Sequence, residues 1–295
     1  MSQDNEKFKE KVDAFPYLLI LPAMVVLLFV FTYPILKAIS LSFHSARFTE
    51  KAPFCGFDNY KRMLLDPFFW YSLRLTTIYT ISYIIGVFTV GGITALLVNC
   101  KIKGRKLARA IITFPFAVPS VVACLVWMWM FDYTFGVLNY LLKEMHLISK
   151  SVGWLIDPSV ALFGVMLVTI WRFFPLHTLI IFAGLQSIPE ELYEGARVDG
   201  ANSIQRFFYI TIPGIKRVLS ILLLLTTVWS FRRFAILFIL THGGPSRATE
   251  VLAVKIYRNA FRYYDMGYAA AMAIFMLLLL ILFTSGYLAL TRKEA

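Results

Sequence analysis

The chain has 295 residues, 59% of them hydrophobic and 16% charged, with a formal net charge of +12. A water-soluble domain typically spends about a quarter of its residues on Asp, Glu, Lys and Arg. With a mean hydropathy of +0.71, this chain cannot cover itself with solvent-facing groups and needs lipid over part of its surface. The positive balance does not point to nucleic acid, because the basic residues lie mostly between long apolar runs, where they set membrane topology.

Residues 1–15 carry Lys7, Lys9 and Lys11 ahead of an apolar run that has no small-residue cleavage site. That pattern predicts a short cytoplasmic N-terminus leading into an uncleaved first helix. A hydrocarbon core about 30 Å thick needs roughly 20 apolar residues per helix. Six segments reach that length, at about 16–43, 72–98, 109–131, 160–182, 218–240 and 266–290, with a short tail at 291–295. The pattern predicts an all-α membrane protein with six transmembrane helices. Pro22 and Pro34 predict kinks in the first, and Arg232 and Arg233 lie near the end of the fifth. Orientation follows from the basic residues of the loops. The second connection is short and dense in charge, with Lys101, Lys103, Arg105, Lys106 and Arg109, and it places both termini inside.

The fourth connection, 183–217, reads AGLQSIPEELYEGARVDGANSIQRFFYITIPGIKR. It is too polar to span and too patterned for a flexible linker. Pro189 can open a helix whose first turn favours Glu190, Glu191 and Glu194 through the helix dipole. Leu192, Ala196 and Val198 give it a small apolar face, and Gly200 offers a stop. A second helical stretch from Asn202 to Tyr209 leads to Pro213 and the fifth span. Two short helices meeting at a glycine form a knob suited to a groove on a partner.

This segment resembles the EAA loop of ABC importer permeases, whose pattern is E-A-A, three residues, G, nine residues, then I-x-L-P. Glu194, Gly195 and Ala196 stand at the triplet, Gly200 at the glycine, and Ile210, Ile212 and Pro213 at the end. Gly195 replaces the middle alanine and Ile212 the leucine. Further stretches are similar to carbohydrate-uptake permeases of the MalF and UgpA subunit type: GFDNYKRMLLDPFFWYSLRLT, the third span with Arg109, Pro115, Pro119 and Trp127, GVLNYLL, and LTHGGPSRATEVLAVKIYRNAF. His242 departs from the family's usual glycine.

The resemblance implies half of an alternating-access pathway in a prokaryotic plasma (inner) membrane. A second, related permease would complete it. Two copies of a P-loop ATPase would bind the coupling loops of the two permeases, and an extracytoplasmic binding protein would deliver a sugar or sugar derivative. Glu191, Glu194, Gly195, Ala196, Asp199, Gly200 and Ala201 are the implied ATPase-coupling residues. No G-x-x-x-x-G-K-[ST] loop occurs in the chain, so ATP and Mg belong to the partner and no cofactor is expected here.

Arg172 lies midway along the fourth span, where an arginine is expensive and faces water or a partner. It reads either as a pathway residue donating hydrogen bonds to sugar hydroxyls or as a structural ion pair or backbone contact with the sister permease. Trp171, Tyr83, Asn99 and Arg232 are further pathway candidates, each with packing or snorkelling as its plain alternative. Neighbours on a helix point about 100° apart, so Arg232 and Arg233 are expected to hold different roles. His177 reads as a packed histidine. No Asp or Glu falls inside the six spans, which argues against a proton- or sodium-coupled carrier. The scattered His44, His146, His177 and His242, and Cys55, Cys100 and Cys124, form no metal or catalytic pattern. Another ABC cargo, such as an amino acid or a phosphorylated glycerol derivative, stays open at this point.

Overall fold

The computed structural model describes residues 15–46, 52–100 and 104–292. Lys7, Lys9, Lys11, Lys101 and Lys103, on which the orientation rests, lie outside them. The described residues are almost entirely helical, as lipid demands: without water, each backbone amide must find its partner within the segment. Leu18–Ser42, Pro67–Asn99, Ala161–Gln186, Ser203–Phe231 and Met266–Thr291 are each long and apolar enough to cross a membrane, and a bent pair forms a sixth candidate.

The first span is α1 (Phe15–Leu27), a π turn (Leu28–Thr32) and α2 (Tyr33–Ser42). The π turn has a local cause. Pro34 has no N–H to give the carbonyl of Val30, and its ring crowds that carbonyl, so the ladder widens there. After α3 (Asp58–Leu65), the longest helix, α4 (Pro67–Asn99), runs through the centre of the bundle. The third span departs from the single helix expected at 109–131. It is α5 (Arg105–Ala117) and α6 (Ser120–Met130), bent by 94°. Val118 is driven to extended backbone (φ −69°, ψ 131°) by the proline that follows it.

A short α7 (Val137–Glu144) precedes the fourth span, α8 (Ala161–Gln186), and α9 (Glu190–Val198) follows it. The fifth span begins much earlier than 218. It comprises α10 (Ser203–Arg206), a π turn (Phe207–Thr211) and α11 (Ile212–Phe231), one helical stretch without a stop. Asn202 starts it through a capping box with Gln205. The stretch ends at Phe231, so the expected tail to 240 is a separate helix, α12 (Ala235–Thr241). The chain closes with α13 (Leu252–Tyr257), a π turn (Arg258–Arg262) and α14 (Met266–Arg292).

Hydrophobic attraction does not drive helices together in lipid, so close packing and interhelical hydrogen bonds take its place. α4 supplies both from one face. Thr76 accepts from the Leu252 amide at 2.8 Å, Tyr79 donates to Thr169 at 3.2 Å, and Thr80 accepts from Ser230 at 3.0 Å. Three turns on from Thr80, Gly91 lets α8 approach so closely that a Cβ there would stand 2.8 Å from the His177 Cβ. His177 is fully buried. Its Nδ1 donates to the Phe173 carbonyl at 3.0 Å, and its Nε2 lies 2.9 Å from the Thr226 hydroxyl of α11.

At the opposite end of α4, Asp66 caps the helix by accepting from the Phe68 amide at 2.8 Å. The same carboxylate takes Lys255 at 2.9 Å and the Tyr268 hydroxyl at 2.7 Å, joining α4 to α13 and α14. Burial works to raise its pKa, but the Lys255, Tyr268 and backbone hydrogen bonds outweigh burial and hold it below the ordinary carboxylate range. A lowered folded-state pKa gives stability that is complete above about pH 4 and lost as pH falls through the lowered value. The thermal midpoint of the purified protein should therefore drop on acidification below about pH 4. Asp66→Asn should lower the midpoint at neutral pH and flatten that acid limb. Equal midpoints for wild type and Asp66→Asn at pH 7 would contradict the joint described here.

Candidate functional site

The break in the third span creates a problem that Arg172 solves. Pro119 has no N–H, so the carbonyl of Pro115 loses its helical partner. The 94° bend takes the amide of Ser120 away from the carbonyl of Phe116. The Arg172 guanidinium donates from Nη1 to both, to Pro115 at 2.8 Å and to Phe116. Its plane also lies 5.4 Å and 5.5 Å from the rings of Phe116 and Phe173, a cation–π setting that offsets part of the charge burial. The structure thus gives Arg172 a partner within its own chain.

With the break held, Ser120 opens α6 beside a cavity of ≈ 340 Å³. The other wall is the end of the fifth span: Trp229, Arg232, Arg233 and Phe234, with Phe173 of α8 between. Arg232 and Arg233 both line it, contrary to the expectation of separate roles. The helical 100° offset does not apply, because the helix stops at Phe231 and 232–234 are not helical.

The Arg233 guanidinium sits 4.0 Å over the Phe173 ring and 4.7 Å over the Tyr83 ring, and donates to the Tyr83 hydroxyl at 3.1 Å. Tyr83 itself is buried at 1% exposure and reaches the cavity only through that bond. Arg232 is exposed. Trp171 lies elsewhere, packed edge-on against Trp127 at 5.5 Å. Asn99 accepts from Gln186 at 2.7 Å and ties the ends of α4 and α8. Ser120, Trp229, Phe173 and Phe234 carry no sequence signal that separates them from other apolar-span residues; only the two breaks bring them together.

The knob after α8 is built as a Schellman turn. The Ala201 amide donates to Ala196 at 2.8 Å, the Gly200 amide to Arg197 at 3.1 Å, and Gly200 takes φ +80°, where a side chain would be strained. Glu191, Glu194, Gly195 and Asp199 are exposed and Ala196 and Ala201 half-exposed. Apolar side chains also face outward, with Val198 88% and Tyr209 79% exposed. The Tyr193 and Thr211 hydroxyls, 3.0 Å apart, fasten α9 to the π turn of the fifth span.

Residues 87–294 match the family described as binding-protein-dependent transport system inner membrane component. The chain belongs to this family. The matched stretch contains the cavity and the knob.

Among its relatives, the trehalose/maltose transport system permease protein MalF of Thermococcus litoralis is 36% identical over 294 residues, covering 98% of this chain and 97% of that one. The sulfoquinovosyl glycerol transport system permease protein SmoG of Agrobacterium fabrum is 35% identical over 279 residues, covering 94% and 90%. A solved bacterial ABC transporter involved in the import of the acidic polysaccharide alginate shares the fold, with a TM-score of 0.84 at 23% identity over 95% of this chain and 96% of that one.

Each buried carbonyl left without a donor costs about 1–3 kcal/mol. Arg172→Ala orphans two, so the solubilised protein should lose thermal stability together with transport. Arg172→Lys, which keeps charge and a donor, should recover part of both. A stable Arg172→Ala protein that has lost transport alone would move Arg172 into direct contact with cargo.

Proposed function

We propose that this chain is the permease subunit of an ATP-driven, binding-protein-dependent importer for a sugar or sugar derivative. It would form half of an alternating-access pathway in a prokaryotic inner membrane, with both termini inside and the α9 knob in the cytoplasm. Family membership and relatives named for trehalose/maltose and sulfoquinovosyl glycerol transport support the cargo class. The dense basic stretch at 101–109 supports the orientation. A second, homologous permease would complete the pathway. Two P-loop ATPase subunits would bind ATP and Mg, and an extracytoplasmic solute-binding protein would deliver the cargo. A phosphorylated glycerol derivative is the second reading, favoured by the guanidinium groups at the cavity.

One observation carries the coupling role. The turn at Gly200 presents the Glu194-Gly195-Ala196 helix with bare apolar side chains on a rigid stem. Among the described residues nothing covers Val198 and Tyr209, as a surface awaiting a protein groove requires. Closure of the ATPases would push this knob. The Tyr193–Thr211 contact would pass the displacement to the fifth span as a rigid-body tilt.

Gly200→Pro tests this, because proline fixes φ near −65° where the turn needs +80°. The variant should insert at normal levels while uptake in cells making all subunits falls about tenfold or more, the effect of losing about 1.4 kcal/mol of coupling contact. Uptake at the wild-type rate would remove the coupling role from this turn.

A further inference from the structure

The wall of the cavity is unbalanced in charge and in hydrogen bonding. Arg232 and Arg233 both line it, and no Asp or Glu does. None of the membrane-spanning helices contains an acid either. A charge withdrawn from water normally finds an opposite charge or a hydrogen-bond acceptor. Arg233 has only aromatic faces and a tyrosine hydroxyl, and its Nε is buried without a partner; the exposed Arg232 hydrogen-bonds through its backbone amide, to the Ser230 carbonyl, and its side chain makes no hydrogen bond or ion pair among the described residues.

The donor count points the same way. Guanidinium groups and an indole N–H only donate, so the lining side chains offer a single acceptor, the Ser120 hydroxyl. Neutral sugar hydroxyls donate as well as accept, and the side chains of this half of the wall offer their donors only Ser120. An oxyanion only accepts. Ser120 also opens the eleven-residue α6, so the positive end of that helix faces the same space. Trp229 adds apolar aromatic surface for a sugar ring. At ≈ 340 Å³ the space is at the small end of ligand cavities, suited to one ring and its substituent at a time.

We infer that the cargo is a carbohydrate bearing an oxyanion substituent, and that Arg232 and Arg233 read that charge as a pair. Arg233, clamped between Phe173 and Tyr83, supplies a fixed guanidinium. Arg232, free at the mouth, closes on the other side of the anion. The inference rests on the pathway reading of this cavity and adds the charge of what passes through it.

The test uses the complete transporter in lipid nanodiscs, without ATP and without the binding protein, so that the pathway alone is titrated. The probes are glucose, glucuronate, glucose 6-phosphate and glucose 6-sulfonate, which differ only at carbon 6, with calorimetric binding as the readout. At least one anionic sugar should bind about tenfold or more tightly than glucose, the scale of one charge-assisted contact. Arg232→Gln should abolish that preference; Arg232 is exposed and unpartnered, so folding does not depend on it. Arg233→Lys, which keeps the charge, should retain most of it, and Trp229→Ala should weaken every sugar.

If glucose binds as tightly as all three anions and Trp229→Ala weakens it, the inferred charge selection is wrong while the pathway reading stands. An anion preference that survives Arg232→Gln unchanged also overturns the pair. If no probe binds, or if Trp229→Ala and the arginine variants leave all binding untouched, the pathway reading fails and the inference fails with it.

Discussion

A backbone carbonyl in lipid has no water to turn to, and the rest of this fold follows from how one such problem is met. The third span breaks at Val118–Pro119, which strips the partners from the carbonyls of Pro115 and Phe116. A single guanidinium from the middle of α8 replaces them. Irregular backbone at membrane depth is tolerated only where protein buries it or where it lines a cavity, and here both hold. Arg172 covers the end of α5, and Ser120, the first residue of α6, faces open space. The charge of Arg172 is thus spent on backbone, which leaves Arg232 and Arg233 as the cations facing the cavity.

The two regions of functional interest lie on one rod. The helical stretch Ser203–Phe231 has 29 residues, about 43 Å at 1.5 Å per residue. One end is tied to α9 through Tyr193 and Thr211, and the other stops where Arg232 begins the cavity wall. α4 and α8 grip it near that second end through Ser230–Thr80 and His177–Thr226. Each such interhelical bond is worth only about 0.6 kcal/mol on average in membranes, so the grip permits tilting as a unit. A force on the knob therefore arrives at the arginines without passing through a flexible loop.

Much of this is legible in the sequence, for a physical reason. Lipid imposes a minimum apolar length, so runs such as 72–98 and 160–182 mark their helices directly. Gly200 is legible because a helix stop at positive φ leaves glycine as the natural residue. The break in the third span is harder to see, since Pro115 and Pro119 sit in equally apolar surroundings and Pro115 does remain helical. Hydropathy sets the start of the fifth span too late because Gln205, Arg206, Lys216 and Arg217 are polar, although the Asn202–Gln205 capping box marks the true start. Arg232 and Arg233 mislead because both can line one cavity only where the helix ends one residue earlier. Nothing near Arg172 in the chain announces a partner more than fifty residues away.

The proposed role, one membrane half of a heteromeric, ATP-driven importer, requires partners that stay bound to this chain. The most direct measurement is purification of the chain from its own cell membrane in mild detergent, with every co-purifying subunit identified. A second six-span permease and a P-loop ATPase should be recovered in stoichiometric amounts. Recovery of the folded chain alone, with transport retained after reconstitution, would contradict it and make the protein a self-sufficient carrier or channel.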